Sequence, residues 1–478
     1  MPALSFNGVT KNYLTVLRGS SRPAWAPIER DIVTISDLPG GYLSETNIMI
    51  RKITIPVLVK ADDFTDLEVL KEDLASWLVT EKEEALVFSD EPDRTYFAVV
   101  DGTLDLDKLV KRGKGIITFI CPDPYKYGPE LPIDFQGSDV VSITNEGTAE
   151  AEPTFELEVL KPTTFALVQN QSNEYMMIGQ PVDIEDFSAV EEYTTLLNNA
   201  LTSTVGWTDG NNIDGGTIEG TIVSDGNGFV PETWGYAEGW HGPALKTSLS
   251  EVLTDFRVEA EVEFNSMDAP GLIGRLEIHL LDEVDEIVGK ASIQDTYTGR
   301  SYGKGVVRAG DNTVGYHFIE EEPSWYRGNI IKGLLRITRR GKRWGGYITE
   351  IVKESGRHHT RSREFYFDEE QQFTRNVAQV QIHFGRRWSH NAPTMKVNNI
   401  KVDKINLLTS AQIPYIAGTG DIITFDHTKN GEVLINGEPY EAIPLGADFF
   451  PLVPGENRLT VFPFDTFNTI ARYRQRFK

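Results

Sequence analysis

Asp421-Ile-Ile-Thr-Phe-Asp426 and Val433-Leu-Ile-Asn-Gly437 are two strand-like stretches near the end of the chain. The Asn-Gly pair that ends the second stretch is the strongest two-residue signal for a β-hairpin. The next stretch, Phe449-Phe-Pro-Leu-Val-Pro-Gly-Glu-Asn457, ends in residues typical of a turn before another strand. The few strands of Ile413–Lys478 cannot enclose a hydrophobic core alone. The domain that they complete therefore needs strands from elsewhere in the chain.

The missing strands are predicted upstream, between Val140 and Pro181. Val140–Thr144, Thr154–Val159 and Tyr175–Ile178 have strand-type composition and are separated by polar turns. A domain can be inserted into a surface loop at small cost, because closure entropy grows slowly with loop length. We therefore predict one β-sandwich in two halves, residues 131–183 and 410–478, with an independent domain between them.

The predicted insertion comprises residues 206–409, which are rich in glycine-containing and aromatic loops. Six strands with turn signals between them favour a sandwich or jelly roll; they are Phe256–Phe264, Gly274–Leu281, Lys332–Thr338, Gly345–Ile351, Val377–Phe384 and Met395–Val402. Residues 184–205 are predicted to be a short helical linker, because Val190, Tyr193, Leu196 and Leu197 have helical spacing.

The N-terminal domain is predicted to be residues 1–130, β-rich with one helix. Strand alternation runs through Ile53–Val59, and a helix is expected to begin at Asp62. The apolar residues of this helix share one face that packs on the sheet; they are Phe64, Leu67, Leu70, Leu74, Trp77 and Leu78. The irregular arm Arg18–Arg30 is either a flexible loop or a segment that packs on a neighbouring subunit.

Composition excludes several classes of protein. The net charge of −25 argues against nucleic acid or an anionic membrane as the main partner. Cys121 is the only cysteine, so an intrachain disulfide is impossible and a reducing compartment is expected. We expect neither a secretory leader nor a membrane span, because no basic leader with an apolar core and no long apolar run is visible.

Several short stretches, in this order and spacing, resemble the distal tail proteins of long-tailed, non-contractile bacteriophages. The resemblance covers residues 1–183 and 413–478, and each stretch taken alone is weakly specific. The stretches are Leu4-Ser-Phe-Asn-Gly8, Ser20-Ser-Arg-Pro23, Asp37-Leu-Pro-Gly-Gly41, Cys121-Pro-Asp-Pro-Tyr-Lys126, Asn145-Glu-Gly-Thr148, Gly420-Asp421, Asn436-Gly437 and Pro454-Gly-Glu-Asn457.

This resemblance implies a β-rich belt domain that closes a hexameric ring and a galectin-like sandwich at its periphery. The ring would join the tail tube protein to the tail-tip adhesion protein in the virion, after synthesis in the host cytoplasm. Some members of the family carry an inserted carbohydrate-binding module, so the jelly-roll (concanavalin-like) insertion is expected to bind host cell-wall polysaccharide. The resemblance implies neither an enzyme nor a cofactor. A purely structural ring, whose insertion binds another tail protein, is the alternative.

Aromatic side chains in loops are the candidate saccharide-binding residues. Pyranose rings present apolar C–H faces that stack on tryptophan and tyrosine, and loops on a rigid sandwich commonly carry binding residues. The candidates are Trp234, Tyr236, Trp240, Trp325, Tyr326 and Trp344. Packing in the core is the competing interpretation for each of them, and Trp207 and Trp388 are assigned to the core or a seam.

Two predicted strands add a second candidate surface. Leu276, Ile278 and Leu280 would face the core, which leaves alternate polar residues on the other side of the sheet. We predict that this polar side either lines a concave saccharide groove or is a solvated sheet face; its candidate residues are Arg275, His279, Gln381 and His383.

A glycan hydrolase is the catalytic alternative. Glu259, Glu261 and Glu263 occupy alternate positions of one strand, and paired carboxylates are what glycoside hydrolysis requires. The regular apolar alternation around them favours instead three solvated glutamates beside a buried face.

Charge and metal patterns give two further hypotheses. Lys332–Arg363 holds ten Lys or Arg residues and two acids, so it either binds an anionic wall polymer such as a teichoic acid or is a solvated strand pair. Asp209, Asn211 and Asp214 resemble half of a calcium loop, which leaves structural calcium in the insertion as a weak expectation. No other metal site is predicted.

Overall fold

The computed structural model describes residues 3–36, 39–61, 64–104, 107–109, 112–182, 188–267, 269, 271–299, 303–321, 329–428 and 431–478. In this part of the chain the protein is β-structured with one α-helix, which confirms the predicted mainly β class. It divides into two compact units. The first contains Met1–Gly179, Gly418–Val433 and Glu441–Lys478, and the second contains Gln180–Ala417 and Leu434–Tyr440.

Up to Gly179 the elements are β1 Leu4–Phe6, β2 Leu14–Val16, β3 Ile28–Val33, β4 Tyr42–Ile48, β5 Arg51–Lys60, α1 Phe64–Leu78, β6 Glu84–Phe88, β7 Glu91–Asp101, β8 Asp107–Leu109, β9 Arg112–Cys121, β10 Lys126–Asp134, β11 Val140–Asn145, β12 Thr154–Val159, β13 Phe165–Asn170 and β14 Tyr175–Gly179.

Between Gln180 and Ala417 they are β15 Ser188–Val190, β16 Tyr193–Asn199, β17 Thr208–Asp209, β18 Thr217–Ile218, β19 Thr221–Ser224, β20 Phe229–Thr233, β21 Trp240–Gly242, β22 Ala244–Leu253, β23 Phe256–Asn265, β24 Gly274–Leu281, β25 Ile287–Asp295, β26 Gly303–Ala309, β27 Tyr316–Glu321, β28 Asn329–Arg340, β29 Arg343–Ile351, β30 His358–Phe367, β31 Val377–Arg387, β32 Thr394–Ile405 and β33 Gln412–Pro414. The chain ends with β34 Ile422–Asp426, β35 Glu432–Ile435, β36 Glu438–Pro439, β37 Gly455–Phe462 and β38 Phe467–Phe477.

The first unit contains the interrupted sandwich. In one sheet β12 pairs with both β34 and β38, and in the second sheet β37 lies between β11 and β13. Strands from before and after the insertion therefore share both sheets. A further bond joins the Thr154 hydroxyl to the Asp426 carboxylate at 3.2 Å.

The N-terminal segment is continuous with this sandwich. Its sheet runs β2-β5-β9-β7-β10-β38, so Glu130, at the predicted end of the N-terminal domain, lies within a strand that pairs on both sides. The predicted alternation in β5 is confirmed by the buried side chains of Ile53 and Ile55. The predicted packing of α1 is confirmed by the burial of Leu67 and Leu74 against the same core. Asp62 lies outside the described residues.

The second unit is a sandwich of two large sheets. One runs β19-β20-β32-β23-β28-β29-β30, and the other runs β17-β22-β31-β24-β25-β26-β27. Their apolar faces form one core, which includes Phe256, Phe264, Leu276, Ile382 and Phe384. All six strands predicted for the insertion are present; β24 has the predicted bounds and the other five extend by a few residues.

The predicted helical linker is wrong for residues 188–205, and residues 184–187 lie outside the described residues. Tyr193–Asn199 forms β16 and pairs antiparallel with β32, with a bulge between Thr195 and Leu197. A bulge adds one residue to a strand and breaks its two-residue alternation. Leu196 and Leu197 consequently both pack against the core, which produced the apparent helical spacing.

The predicted Asn-Gly hairpin is confirmed between β35 and β36. Asn436 and Gly437 have φ values of 51° and 81°, as a tight hairpin turn between twisted strands requires. The hairpin segment Leu434–Tyr440 clusters with the second unit, although sequence reasoning assigned it to the split sandwich. Within that unit the Glu438 carboxylate accepts hydrogen bonds from Arg336 at 2.7 and 2.9 Å and from Arg363 at 2.6 Å.

Candidate functional site

The predicted polar face of β24 and β31 is buried. Leu276 and Ile278 point into the core as predicted, while Glu277 and His279 on the opposite face have no solvent-exposed surface. Arg275, Gln381 and His383 on the same face are also buried. These side chains therefore form neither an open saccharide groove nor a solvated sheet face, so both forms of the prediction are wrong.

A covering segment, Gly210–Gly216, contacts this polar face through its backbone. The Arg275 guanidinium donates to the carbonyls of Asp214 at 3.1 Å and Gly215 at 3.0 Å. The Gln381 side-chain amide donates to the Asn212 carbonyl at 2.6 Å. Predicted site residues thus hold the segment that excludes water from them.

A buried ionic cluster lies beneath the covering segment. The Lys290 ammonium contacts Asp214 at 2.6 Å and Glu277 at 2.8 Å. Arg308 donates to both oxygens of Asp214 at 2.6 and 2.8 Å, and His383 Nδ1 donates to Glu277 at 2.7 Å. Each buried carboxylate therefore has a basic partner, as buried charges require.

The pKa values follow from this arrangement. Burial alone would raise the pKa of Glu277, but Lys290, Arg275 and the hydrogen bond from His383 hold it well below its usual value. Burial would likewise raise the pKa of Asp214, but Arg308 and Lys290 lower it to about 2. Burial lowers the pKa of His279 to about 3, so this imidazole is neutral.

The same cluster contains the side-chain atoms that could hold a metal ion. Oxygens of Asp214 and Glu277 and a nitrogen of His279 lie within 4.8 Å of one another. However, the Lys290 ammonium lies between the carboxylates, and Arg308 engages both Asp214 oxygens. A divalent cation would compete with two fixed positive charges, so these residues fit a cation poorly. Of the half calcium loop, Asp214 is thus engaged, and Asn211 donates to Asp285 at 2.6 Å.

A second, exposed surface carries the predicted aromatic residues. We call it the aromatic surface and define it as Trp234, Tyr236, Trp240, Arg387 and Trp388. Tyr236 is 93% exposed and Trp388 is 51% exposed, while Trp240 is half-buried and Trp234 packs partly against the core. Three of the sequence-predicted residues therefore lie in the short stretch Trp234–Trp240 beside the end of β31, and Tyr236 is the most exposed of them.

Strand pairing and a carboxylate fix this surface. Trp240 lies opposite Arg387 in the β21–β31 pair, and the Trp388 amide donates to the Gly239 carbonyl at 2.7 Å. Glu219 accepts hydrogen bonds from the backbone amides of Tyr236 at 2.8 Å and Ala237 at 3.1 Å. These contacts hold the backbone of the aromatic loop in place, so the loop need not become ordered on binding.

Two guanidinium groups lie against the tryptophans. The guanidinium of Arg275 lies 4.3 Å from the centre of the Trp240 ring, and that of Arg386 lies 5.5 Å from the Trp234 ring. Arg386 also donates to Nε2 of His241 at 3.1 Å and to the Gly235 carbonyl at 3.4 Å. The surface combines apolar rings with fixed hydrogen-bond donors, which is what an amphipathic ligand such as a saccharide requires.

The remaining aromatic predictions have different outcomes. Trp344 is fully buried and packs edge-on against Phe256 at 5.8 Å, so its assignment as a binding residue is wrong. Trp344 belongs to the core of the second unit, in a strand whose residues Trp344 to Thr349 are all buried. Trp325 and Tyr326 lie outside the described residues. Trp207 is a core residue, as one of its two interpretations held.

Sequence reasoning missed Trp388 and Arg387. Trp388 was assigned to the core or a seam, so neither it nor the preceding Arg387 was considered as a binding residue. The structure places Trp388 directly after β31. The available signal was the polar Ser389-His390-Asn391 turn, which predicts that the preceding tryptophan lies at a strand end near solvent.

The glutamates of β23 follow the non-catalytic interpretation. Phe256, Val258, Ala260, Val262 and Phe264 are all buried, as that interpretation predicted. Each glutamate contacts a different partner: Glu259 contacts Arg336 at 2.5 Å, Glu261 contacts Lys332 at 3.5 Å, and Glu263 accepts from Asn398 at 2.8 Å.

The basic stretch is largely neutralised by ion pairs. Arg336 and Arg363 pair with Glu438, Arg340 pairs with Glu192, and Lys342 pairs with Glu369. Arg339 is buried and donates to backbone carbonyls.

Comparison with known proteins gives two family matches. The model of the phage tail protein RIFT-related domain matches residues 9–121, and that of the siphovirus-type tail component, C-terminal domain, matches residues 372–477. The distal tail protein of Bacillus phage SPP1 is 31% identical over 128 residues, which are 27% of this chain and 50% of that protein. The chain thus spans half the length of this curated relative.

Two solved structures are similar in part. The SPP1 Dit protein, described as a hub adsorption apparatus, is 24% identical and covers 38% of this chain and 75% of its own, with a TM-score of 0.34. The CBM2 module of the evolved Dit of Lactobacillus casei BL23 phage J-1 is 14% identical and covers 46% of this chain and 100% of its own, with a TM-score of 0.39. Among the described residues, no helix has the length and apolar character needed to cross a membrane.

Proposed function

This chain belongs to the siphophage distal tail proteins, and from this premise we propose that it forms a hexameric hub at the tail tip whose insertion binds host cell-wall saccharide. The hub joins the tail tube protein to the tail-tip adhesion protein in the virion. Its role is binding and not catalysis, since the β23 glutamates are occupied separately by neighbouring side chains.

The β3–β4 hairpin supports the ring. In the part of the chain that is described, β3 and β4 pair with each other and with no other strand, and every residue of both strands is exposed. Trp25 and Tyr42 are each 65% exposed, and Ile32 and Leu43 are also exposed. An exposed apolar hairpin of this kind would promote aggregation of a monomer. A neighbouring copy that covers the hairpin would bury its apolar side chains and prevent this.

Solution mass tests the ring. The full chain is expected to sediment as a hexamer, whereas a chain with Ile32→Asp and Leu43→Asp is expected to sediment as a monomer, because the buried charges would oppose docking. Val69→Asp, on an exposed position of α1, is the matched control and should preserve the hexamer. A parent chain that stays monomeric at all concentrations would contradict the ring.

The aromatic surface carries the saccharide proposal. Tyr236 and Trp388 are exposed, and the backbone of the aromatic loop is held by Glu219 and by pairing with β31. Six copies on one ring would convert weak contacts into strong attachment when one polymer reaches several sites.

Binding of the full chain to purified host cell walls tests this proposal. Trp388→Ala with Tyr236→Ala is expected to lower the affinity by about tenfold or more, because exposed aromatic anchors dominate such contacts. Phe367→Ala removes another exposed aromatic residue of the same unit, 57% exposed on β30, and should leave binding unchanged. Equal binding by the double variant and the parent would favour the purely structural ring, whose insertion contacts another tail protein.

A further inference from the structure

Arg387 belongs to the minority of arginines in the second unit that contact no carboxylate within the described residues, with Arg339, Arg343 and Arg386. Most of its arginines contact a carboxylate, as Arg257 does with Asp403 at 2.6 Å and Arg375 does with Asp282 at 2.8 Å. Arg387 is exposed and, within the described residues, contacts no acidic side chain. In a chain with a net charge of −25, an arginine without an acidic partner beside a ligand surface needs an explanation.

The neighbouring guanidinium groups, within the described residues, form no hydrogen bond with a carboxylate. Arg386 donates to His241 and to a backbone carbonyl. Arg275 donates to two backbone carbonyls, and its Nε lies 3.8 Å from Glu277, beyond hydrogen-bond distance. Two guanidinium groups therefore lie against the tryptophans and donate mainly to backbone carbonyls.

Two acidic residues belong to the same loop region. The Glu219 carboxylate already accepts hydrogen bonds from the backbone amides of Tyr236 and Ala237. Glu238 is exposed and precedes Gly239. Neither forms an ion pair with Arg387, whose planar donor group remains available for a bidentate acceptor.

We propose that the aromatic surface selects an anionic saccharide, in which a pyranose face packs on Trp240 while a phosphate or carboxylate group pairs with Arg387, its cross-strand neighbour. The inference rests on the saccharide-binding function proposed above and names its ligand class. Trp240 and Arg387 are directly opposed on β21 and β31, so one ligand can contact a ring and a guanidinium together. The basic stretch Lys332–Arg363 is a poorer candidate, because Arg336, Arg340 and Arg363 are already paired with glutamates.

Three soluble polymers distinguish the possible ligands in titrations of the full chain. They are poly(glycerol phosphate), polygalacturonate and an uncharged β-glucan. Arg387→Gln is expected to lower the affinity for the anionic polymer by about tenfold or more, because a hydrogen-bonded charge pair is lost. Arg387→Lys should recover part of the affinity, because the charge remains without the planar fork. Arg375→Gln, which removes another exposed arginine, is the matched control and should have no effect.

Each outcome has a fixed meaning. If Arg387→Gln lowers the affinity for poly(glycerol phosphate), the group that pairs with Arg387 is a phosphate. If it lowers the affinity for polygalacturonate, that group is a carboxylate. Binding of the uncharged glucan alone, sensitive to Trp240→Ala but not to Arg387→Gln, overturns this inference and leaves the saccharide function standing. If the chain binds neither poly(glycerol phosphate) nor polygalacturonate, the inference is overturned as well. Wall binding that is insensitive to both Trp388→Ala and Arg387→Gln overturns the saccharide function itself.

Discussion

The polar face of β24 and β31 and the aromatic surface lie in the same sandwich and share β31, yet one is closed and the other is open. Glu277 and His383 are covered by Gly210–Gly216. Arg387 and Trp388, at the end of β31, lie beyond that cover and remain exposed. The two regions differ in exposure because a neighbouring segment covers one of them, and not because their residue types differ.

The comparison teaches that polarity alone does not mark a binding site. The buried face is the more polar of the two, but its charges satisfy one another: Lys290 contacts Asp214 and Glu277. Arg387, in the aromatic surface, contacts no acidic side chain within the described residues. A ligand can therefore pair with Arg387 but not with the charges of the buried cluster, which already pair with one another.

The largest expected effect comes from breaking the buried cluster. Lys290→Met removes the ammonium between Asp214 and Glu277 and should lower the free energy of unfolding by roughly 3–5 kcal/mol, because buried carboxylates lose a partner. Urea titration of the full chain, followed by tryptophan fluorescence, measures the change.

Lys304→Met provides the matched control for this substitution. Lys304 pairs with Glu320, whose side chain is 50% exposed, so its loss should change the unfolding free energy by less than about 1 kcal/mol. If both substitutions had the same small effect, the ionic cluster would not stabilise the closed face.

The split fold could be predicted because its signals are local. The Asn436-Gly437 turn requires positive φ at two residues, and few sequences satisfy that condition outside a hairpin. The alternation in β23 and β24 identified the core side of each strand for the same reason: side-chain direction has a period of two.

The closed face could not be predicted, because its cover is remote in sequence. Gly210–Gly216 contacts Arg275 and Gln381, and no periodicity in β24 or β31 reports that contact. Trp344 illustrates a different limit: it directly precedes the predicted strand Gly345–Ile351 and is predicted to lie in a loop, whereas β29 begins at Arg343. The bulge in β16 likewise altered the alternation from which a strand is recognised.

An intermediate effect is expected from pH, and it also separates the two regions. The unfolded His279 imidazole takes up a proton below pH ~6.5, but burial holds the folded pKa at about 3. The unfolded state therefore binds more protons between these values, and the stability falls as the pH falls through this window. The loss that His279 contributes between pH 7.5 and pH 5 is about 2 kcal/mol.

His279→Leu tests this contribution. Within the described residues neither ring nitrogen of His279 has a hydrogen-bond partner, so the substitution removes no hydrogen bond. The variant should lose about 2 kcal/mol less stability between pH 7.5 and pH 5 than the parent, measured by urea titration at both pH values. Burial lowers the pKa of His383 too, so part of the acid loss remains. His359→Gln, on an exposed position, should follow the parent; identical pH dependence of the His279 variant and the parent would contradict the argument.

The smallest effect on stability is expected on the aromatic surface. Trp388→Ala with Tyr236→Ala removes two exposed rings and should change the free energy of unfolding by less than about 0.5 kcal/mol per residue, because little packing is lost. Trp344→Ala, in the core, should cost roughly 3–5 kcal/mol in the same urea titration. A double variant that is as unstable as the Trp344 variant would mean that the aromatic rings support the fold, and its loss of wall binding would then report unfolding and not a missing contact.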